Sequence, residues 1–371
     1  MAGRRKMAMK ALIAMSGGVD SSVAALIMRE RGYECIGCTM KLFECNTGAA
    51  CEADSNQDIN DARSVAASLG MPYYVFDFEN EFSKYVISRF VKSYEAGLTP
   101  NPCIECNRYI KFGLLYEKLK ELGCDYLVTG HYAKVEYSDG RYRLKKANDK
   151  TKDQSYVLYS LGQEKLEHTI LPLGEMHKTD IREAARRYGF VNSEKPESQD
   201  ICFVRDGDYA SVIEEVNGKK SEPGDFIGPD GEVIGRHKGI IHYTIGQRRG
   251  LGISYSEPLF VCEIHPEDNT VVLGTKDDQG RSEAFVEDVS WVSGKIPSDD
   301  FRCTVKTRYH QREEACAVTV LEDDSVRICF EKPQRALAPG QFAVMYNGDE
   351  VIGGGVITNK YVPMAARKIK F

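Results

Sequence analysis

The stretch Ala11–Tyr33, ALIAMSGGVDSSVAALIMRERGY, decides the fold. An apolar run at Ala11–Met15 breaks into Ser16-Gly17-Gly18-Val19-Asp20-Ser21-Ser22. It then resumes with helical spacing to Arg31, where Gly32 takes the C-cap role. A strand that runs into a glycine-rich turn and opens a helix leaves several backbone N–H groups aimed at one point. That is an anion site, because first-turn amides lack intrahelical partners and the helix dipole favours negative charge. Gly17 and Gly18 permit close backbone approach, and Ser16, Ser21 and Ser22 add hydroxyl donors. Asp20 is the odd member: a carboxylate beside a phosphate has a role if it holds Mg²⁺ there. With no Gly-Lys-Ser/Thr in it, the loop is not a Walker A loop.

The alternation continues outward to about Ser160. Strands are expected at Tyr33–Met40, Tyr73–Phe78 and Asp125–Gly130, and helices around Asp58–Leu69 and Ile110–Leu122. Strands alternating with helices predict an α/β domain built on a parallel sheet covered on both faces. The polar connector SEKPESQDICFV follows from Ser193, then a glycine-rich, turn-rich stretch from Gly224 that reads as a compact module. Beyond Arg281, runs such as RCTVKTRYH, ACAVTVLE and QFAVMYNG alternate apolar and polar residues, as in an antiparallel sandwich or small barrel.

At 371 residues the chain is long for one core, so two or three domains are expected. No apolar run is long enough to span a bilayer and Met1–Lys10 lacks a secretory apolar segment, so the expectation is a cytoplasmic protein with no membrane partner. Twelve cysteines without an export signal point to reduced thiols, metal ligands or redox chemistry rather than a disulfide scaffold. The net charge of −6 does not advertise nucleic acid. Basic clusters stand out locally at Arg186-Arg187, Lys219-Lys220, Arg248-Arg249 and Lys306–Arg312, the last with Tyr309 interleaved.

The loop matches SGGxDS, the PP-loop signature of the N-type ATP pyrophosphatases, which cleave ATP between the α- and β-phosphates. Five further stretches carry a closer likeness: GLTPNPCIECNRYIKFG (Gly97–Gly113), TGHYAKV (Thr129–Val135), KDQSYVLYSL (Lys152–Leu161), SQDICFV (Ser198–Val204) and HYTIGQRRGLGI (His242–Ile253). With these, nearly the whole chain resembles the tRNA-specific 2-thiouridylase family, which installs sulfur at C2 of the wobble uridine. The resemblance implies three domains: a PP-loop catalytic domain at 1–207, a small central domain at 208–280 and a C-terminal antiparallel β-barrel that binds tRNA at 281–371.

It also implies roles. Cys106 takes the first catalytic cysteine position and Cys202 the persulfide-bearing one. Ala14, Met15, Ser16, Gly17, Gly18, Val19, Asp20 and Ser21, with Met40 and Gly130, match ATP-binding positions. Asn101, Pro102 and Cys103 match the loop that holds the target base; His131, Lys152, Asp153, Gln154, Arg308, Tyr309 and Gln341 match positions that touch tRNA. ATP and Mg²⁺ are the implied cofactors. The implied partners are the wobble-uridine tRNAs for Lys, Glu and Gln, and a sulfur donor such as a cysteine desulfurase or relay carrier. The chemistry is coherent: adenylating the C2 oxygen of uracil turns a poor leaving group into AMP, and a persulfide supplies the sulfur.

One position departs from the pattern. Much of the family has Asp where this chain has Cys103, so a carboxylate is lost and a Cys-x-x-Cys pair with Cys106 is created. Cys103 is then an inert substitute, an extra redox thiol, or a third thiolate with Cys106 and Cys202 for an iron–sulfur cluster. Among the other cysteines, Cys35 and Cys38 fall three apart in a strand and face opposite sides, which argues against a shared metal. Cys45 and Cys51 would need two more ligands to hold zinc. Cys124, Cys262, Cys303, Cys316 and Cys329 sit in core-like contexts, and Gly353-Gly354-Gly355 reads as a barrel bend. Two other readings compete: a PP-loop ligase acting on a small metabolite, and a non-catalytic RNA-binding adaptor. The first would explain SGGVDSS but not the paired cysteines or the terminal barrel; the second would leave thiouridine unchanged when Cys106 or Cys202 is replaced by Ser.

Overall fold

The computed structural model describes residues 8–43, 49–197, 201–204 and 207–360, with only the backbone at 49–55. Cys45 and the Cys51 side chain lie outside the described residues, as does the Ser198–Asp200 part of the connector motif. The first sheet contains β1 (Lys10–Ala14), β2 (Glu34–Lys41), β3 (Tyr73–Asp77) and β4 (Tyr126–Val128). A hairpin of β5 (Ala133–Ser138) and β6 (Arg141–Lys146) comes next, then β7 (Thr169–Ile170). The sheet order is β3-β2-β1-β4-β7 with all neighbours parallel. Ala11, Leu12 and Ile13 are wholly buried, as an apolar strand covered on both faces must be. Chain order reverses across β1, whose neighbours are β2 on one side and β4 on the other. Ligand crevices in open α/β sheets form at such a switch point, beyond the strands' C-terminal ends. The glycine loop lies there, between β1 and α1 (Val19–Glu30).

Cys35 belongs to the core under α1 and Cys38 to the core on the opposite sheet face, so the two thiols do face apart. The expected helix at Ile110–Leu122 begins earlier. Asn101 caps it by accepting the Cys103 N–H at 3.2 Å, and Pro102 opens a single α turn to Glu105. A π-helical stretch Cys106–Leu114 follows, then an α segment Leu115–Glu121. Such wide turns inside a helix frequently mark functional sites.

The α/β pattern read from the sequence breaks at Ala133. The segment AKVEYSDGRYRLKK folds as a hairpin whose turn residues Asp139 and Gly140 both have positive φ, the hallmark of an Asp-Gly turn. A two-stranded ribbon is marginal alone, and β6 joins the last domain by pairing Lys145 with Glu350.

The middle of the chain forms a four-stranded sheet from β8 (Gly224–Ile227), β9 (Val233–His237), β10 (Phe260–His265) and β11 (Thr270–Gly274), in the order β10-β11-β8-β9. The remaining strands are β12 (Arg281–Trp291), β13 (Asp300–Lys306), β14 (Glu314–Val320), β15 (Val326–Gln334), β16 (Phe342–Asn347) and β17 (Glu350–Ile357). They run β12-β15-β14-β13-β16-β17 and close by a β12–β17 pairing into an antiparallel six-stranded barrel. At that seam a Cβ on Gly353 would approach the Ser290 carbonyl to 2.4 Å, so the glycine run serves barrel closure. Cys316 is buried as expected, whereas Cys303 and Cys329 are only partly buried.

One continuous core joins the nucleotide domain to the barrel. Tyr156, Tyr159 and Leu144 pack with Phe342, Val344 and Tyr346, and the Tyr156 hydroxyl donates to the Phe342 carbonyl at 2.9 Å. Arg141 and Arg143 both bind Glu350, and Arg108 binds Asp288 across the same junction.

In the central domain His265 contacts Glu263 at 3.1 Å and Glu267 at 3.2 Å. Hydrogen bonding to Glu263 leads in holding its imidazolium, with a pKa raised to about 9. The unfolded value is about 6.5, so this stabilisation is complete below about pH 6.5 and disappears as pH rises through about 9. Urea unfolding of wild type and His265→Asn across pH 6 to 10 is expected to show a stability gap that closes at the alkaline end.

Candidate active site

The loop's shape rests on two places where backbone meets backbone. Gly17 has φ +73°, and a Cβ there would lie 2.4 Å from the Asp58 carbonyl oxygen. A Cβ on Gly130, just past β4, would lie 2.9 Å from the Ser21 nitrogen. Both contacts exclude any larger residue without a shift of main chain. Ser21 Oγ accepts the Ser16 N–H at 3.1 Å and donates to the Gly18 carbonyl at 3.1 Å. Gly18 caps α1 with its backbone alone, leaving first-turn amides free of a side-chain acceptor. Asn192 ties the loop from behind, donating to the Gly17 carbonyl at 2.8 Å and to Ser22 Oγ at 2.9 Å.

Asp20 is engaged by two groups the sequence did not single out. Lys178 Nζ reaches its oxygens at 2.7 and 2.9 Å, and the Tyr132 hydroxyl donates to it at 2.7 Å. Lys178 also pairs with Glu197 at 2.8 Å, which pairs with Lys152 at 2.6 Å. The two lysines hold the Glu197 carboxyl down at about 2 against the opposing effect of burial. Lys152 thus sits in a charge network that leads back to the loop.

A cavity of about 590 Å³ opens beside the loop. Ala14, Met15, Ser16, Asp20, Ser21, Met40 and Gly130 line one part, and Pro102, Cys103, Cys106, His131, Gln154 and Cys202 another. Two segments of the chain therefore bring three cysteines into one space with the anion loop. Cys103 and Cys106 come from the helical turn after Asn101; Cys202 comes from the connector. Phe203 anchors the connector by wedging edge-on against Phe82 and Phe90, with ring centres 5.7 and 5.2 Å apart. That packing points the neighbouring Cys202 at the cavity.

Cys103 and Cys202 are exposed and Cys106 is buried, and all three are free thiols. The cavity walls desolvate them. Burial raises all three, Cys202 to about 12 with help from Cys106 and Cys103, while Lys111 opposes the rise at each. Lys111, within GLTPNPCIECNRYIKFG but not picked out there, is thus the cation common to the three sulfurs. Its Nζ lies 3.5 Å from Nε2 of His131. Burial first, then Lys111, depress the His131 pKa well below the ordinary value, so the ring is neutral. An ammonium can only donate, so Nε2 accepts and Nδ1–H donates to Thr129 Oγ1 at 2.7 Å.

The residues matched to RNA contacts fall into two groups. Gln154 and His131 line the cavity. Asp153, by contrast, is buried and accepts from the Ala147 and Ser155 amides and the Ser155 hydroxyl, a turn-building role. Gln341 donates to the Thr99 and Pro100 carbonyls and so holds the Asn101–Cys103 loop from the barrel side. Arg308 donates to the Ile245 carbonyl at 2.7 Å, linking barrel to central domain, with its Nε buried and unpaired. Tyr309 packs edge-on against Tyr156 and lines a second cavity of about 370 Å³ with Lys150, Lys306, His310 and Arg312. It also packs against the core cluster that includes Cys106.

Among the described residues no group of three or more His, Cys, Asp or Glu side chains is arranged to hold a metal ion. The iron–sulfur expectation for Cys103, Cys106 and Cys202 has no support in this geometry. Among the described residues, too, no helix is long and apolar enough to cross a membrane.

A parallel sheet with a glycine anion loop at its switch point, opening onto thiols, defines a PP-loop nucleotide-binding domain with sulfur chemistry in reach. Residues 9–206 match the model described as the tRNA methyl transferase HUP domain. Residues 211–275 match a tRNA methyl transferase PRC-barrel domain, and residues 281–357 an aminomethyltransferase beta-barrel domain. The tRNA-specific 2-thiouridylase MnmA of Clostridioides difficile is 45% identical over 355 residues, which cover 94% of this chain and 98% of that protein. The protein of the same name from Symbiobacterium thermophilum is 45% identical over 368 residues, covering 96% and 93%. The chain belongs to the tRNA-specific 2-thiouridylase family.

Gly130→Ala is expected to push β4's exit off α1 and weaken ATP binding at least roughly tenfold, since the opposing atoms are main chain. Calorimetric titration with a non-hydrolysable ATP analogue checks this; unchanged affinity would show that the contact is dispensable.

Proposed function

We propose that this protein thiolates C2 of the wobble uridine of tRNA at the expense of ATP, releasing AMP and pyrophosphate. The observation that carries the reading is the single cavity shared by the anion loop, Lys111 and the thiols of Cys106 and Cys202. In this reading Ala14–Ser21 hold the triphosphate through loop amides and serine hydroxyls, and Met40 and Gly130 flank the nucleotide. The uracil C2 oxygen displaces pyrophosphate from the α-phosphorus, giving an adenylated base. The terminal sulfur of a Cys202 persulfide then attacks C2 and AMP departs with the former oxygen. Cys106 attacks the Sγ of Cys202, which leaves sulfur on the base and a Cys106–Cys202 disulfide on the protein.

Burial explains why a persulfide suits this site. A thiol raised to about 12 is scarcely ionised at neutral pH, whereas a persulfide is a stronger acid and so a better source of anionic sulfur. Among the described residues Lys111 is a cation acting on all three sulfurs, and it favours the anion. Neutral His131 offers a hydrogen-bonding edge without adding positive charge.

Mg²⁺ fits as a metal that arrives with the nucleotide. Asp20 is a carboxylate on the loop, and Mg²⁺ commonly binds through one or two carboxylates plus phosphate oxygens. When bound it neutralises phosphate charge in the transition state. Lys178, now on Asp20, is placed to orient that carboxylate.

For tRNA, the basic pocket at Lys150, Lys306 and Arg312 supports phosphate binding, and Tyr309 supports stacking of an extruded base. The wobble uridine lies in a single-stranded loop, where extrusion costs only a few kcal/mol. Under this reading the substrates are the tRNAs for Lys, Glu and Gln, the persulfide comes from a cysteine desulfurase or relay carrier, and the protein works in the cytoplasm. The domains divide at 1–207, 208–280 and 281–371, with tRNA held mainly by the last.

Two outcomes test the proposal. Incubating protein, ATP, Mg²⁺, a sulfur source and unmodified tRNA, followed by nucleoside mass spectrometry, is expected to yield 2-thiouridine. Cys106→Ser and Cys202→Ser should each lower the yield at least about a hundredfold. Activity retained in either variant would remove that thiol from the mechanism. Separately, tRNA affinity measured from 50 to 300 mM salt is expected to fall steeply, with a log–log slope of several, despite the net charge of −6. A flat salt response would exclude phosphate contacts as the basis of binding.

A further inference from the structure

The three-thiol cavity contains one sulfur more than the proposed transfer uses. Cys103 is the second residue of the turn Pro102–Glu105 and Cys106 its C-cap, with φ −60° and ψ −46°. Residues three apart on a helix lie on one face with Cα atoms about 5 Å apart, inside the range a disulfide spans. The turn is held at both ends: Asn101 accepts the Cys103 amide, and Gln341 grips the carbonyls of Thr99 and Pro100. Exposure is graded across the pair, since Cys103 is open to solvent while Cys106 is buried. Lys111 acts on both sulfurs.

This inference rests on the proposed thiolation. After each transfer a Cys106–Cys202 disulfide remains, and it blocks Cys202, the sulfur-carrying thiol, until the bond is exchanged or reduced. We propose that Cys103 is the resolving thiol of the reaction cycle, moving the disulfide from the Cys106–Cys202 pair to the Cys103–Cys106 pair of the helical turn and so releasing Cys202. The Cys103 sulfur attacks Sγ of Cys106 and forms a new S–S bond. The Cys106–Cys202 bond breaks, its electron pair goes to Cys202, and the proton lost by Cys103 is balanced by one taken up at Cys202. The exchange is redox-neutral. Cys202 is then free to accept the next sulfur, while an external dithiol reduces Cys103–Cys106 by two electrons and becomes a disulfide itself.

Peptide chemistry separates the two disulfides cleanly. Trypsin places Cys103 and Cys106 on one peptide, Ser93–Arg108, and Cys202 on another, Tyr188–Arg205. Full-length protein preloaded with sulfur is turned over with ATP, Mg²⁺ and tRNA without added reductant, then alkylated, digested and mapped. Wild type is expected to end with a loop disulfide inside Ser93–Arg108 and an alkylated Cys202. Cys103→Ser, and independently Cys103→Ala, should end with the two peptides cross-linked. The variants should give one burst of product and then stall. Their ratio of steady-state rate to burst height should fall roughly tenfold at low dithiol and recover at high dithiol, whatever the height of the burst. Wild type trapped with the cross-linked peptides, or variants cycling like wild type at every dithiol concentration, would overturn the proposal. If neither protein makes 2-thiouridine or any tRNA-dependent disulfide, the thiolation reading itself has failed.

Discussion

Backbone resting directly on backbone at the first turn of α1 is the constraint on which the rest of the molecule depends. Gly17 lies against Asp58 and Gly130 against Asp20–Ser21, at distances where no Cβ fits. These approaches fix where the free amides of the loop point, and β1, buried throughout, carries that aim into the rigid centre of the sheet. Helix-terminal amides stabilise negative charge only over about one turn. The site therefore needs its sulfur groups brought to the loop, and both the connector and the wide π-helical stretch do so. Phe203, locked between two other rings, delivers Cys202; Pro102 and Asn101 start the turn that delivers Cys103 and Cys106.

Charge is managed locally in a chain that is acidic overall. Asp20, Lys178, Glu197 and Lys152 form a chain of ion pairs of alternating sign that runs from the loop outward. A second lysine, Lys195, ties Asp58 and Asp61 on the opposite flank. Partly exposed pairs of this kind contribute only modest stability individually. Their value is positional: they fix Asp20 at the loop and link it to Glu197. Lys111 differs: among the described residues its recorded neighbours are thiols and a neutral imidazole rather than carboxylates, which favours an incoming anion.

The sequence was most readable where a local rule has one structural solution. SGGVDSS between an apolar run and a helical one specifies strand, turn and helix, and the alternation around it specifies a parallel sheet. The antiparallel strands of the last domain were visible as spacing that fitted a sandwich as well as a barrel, and the glycine run as a bend. Legibility failed where the deciding partner lies far along the chain. The Asp-Gly hairpin at Ala133–Lys146 carries a clear turn signal, but nothing local says that its second strand pairs with Glu350. Lys178 and Asn192 are ordinary surface residues until folding sets them against Asp20 and Gly17, 158 and 175 positions away. Asp153 and Gln341 lie in stretches matched to RNA contact, and their bonds within the protein, to the Ala147 amide and the Thr99 carbonyl, were not legible there.

The hairpin has a consequence for how the chain is made. Leu144 and Tyr156 are wholly buried, and the surface that covers them comes from Phe342, Val344 and Val351. A nascent chain emerges from its N-terminus, so the nucleotide-binding half is complete as a sequence long before its apolar flank has anything to pack on. That flank stays open until β17 has left the ribosome and closed the last barrel seam. Vectorial synthesis thus leaves an early half that cannot finish folding on its own, and a chain that matures as one unit.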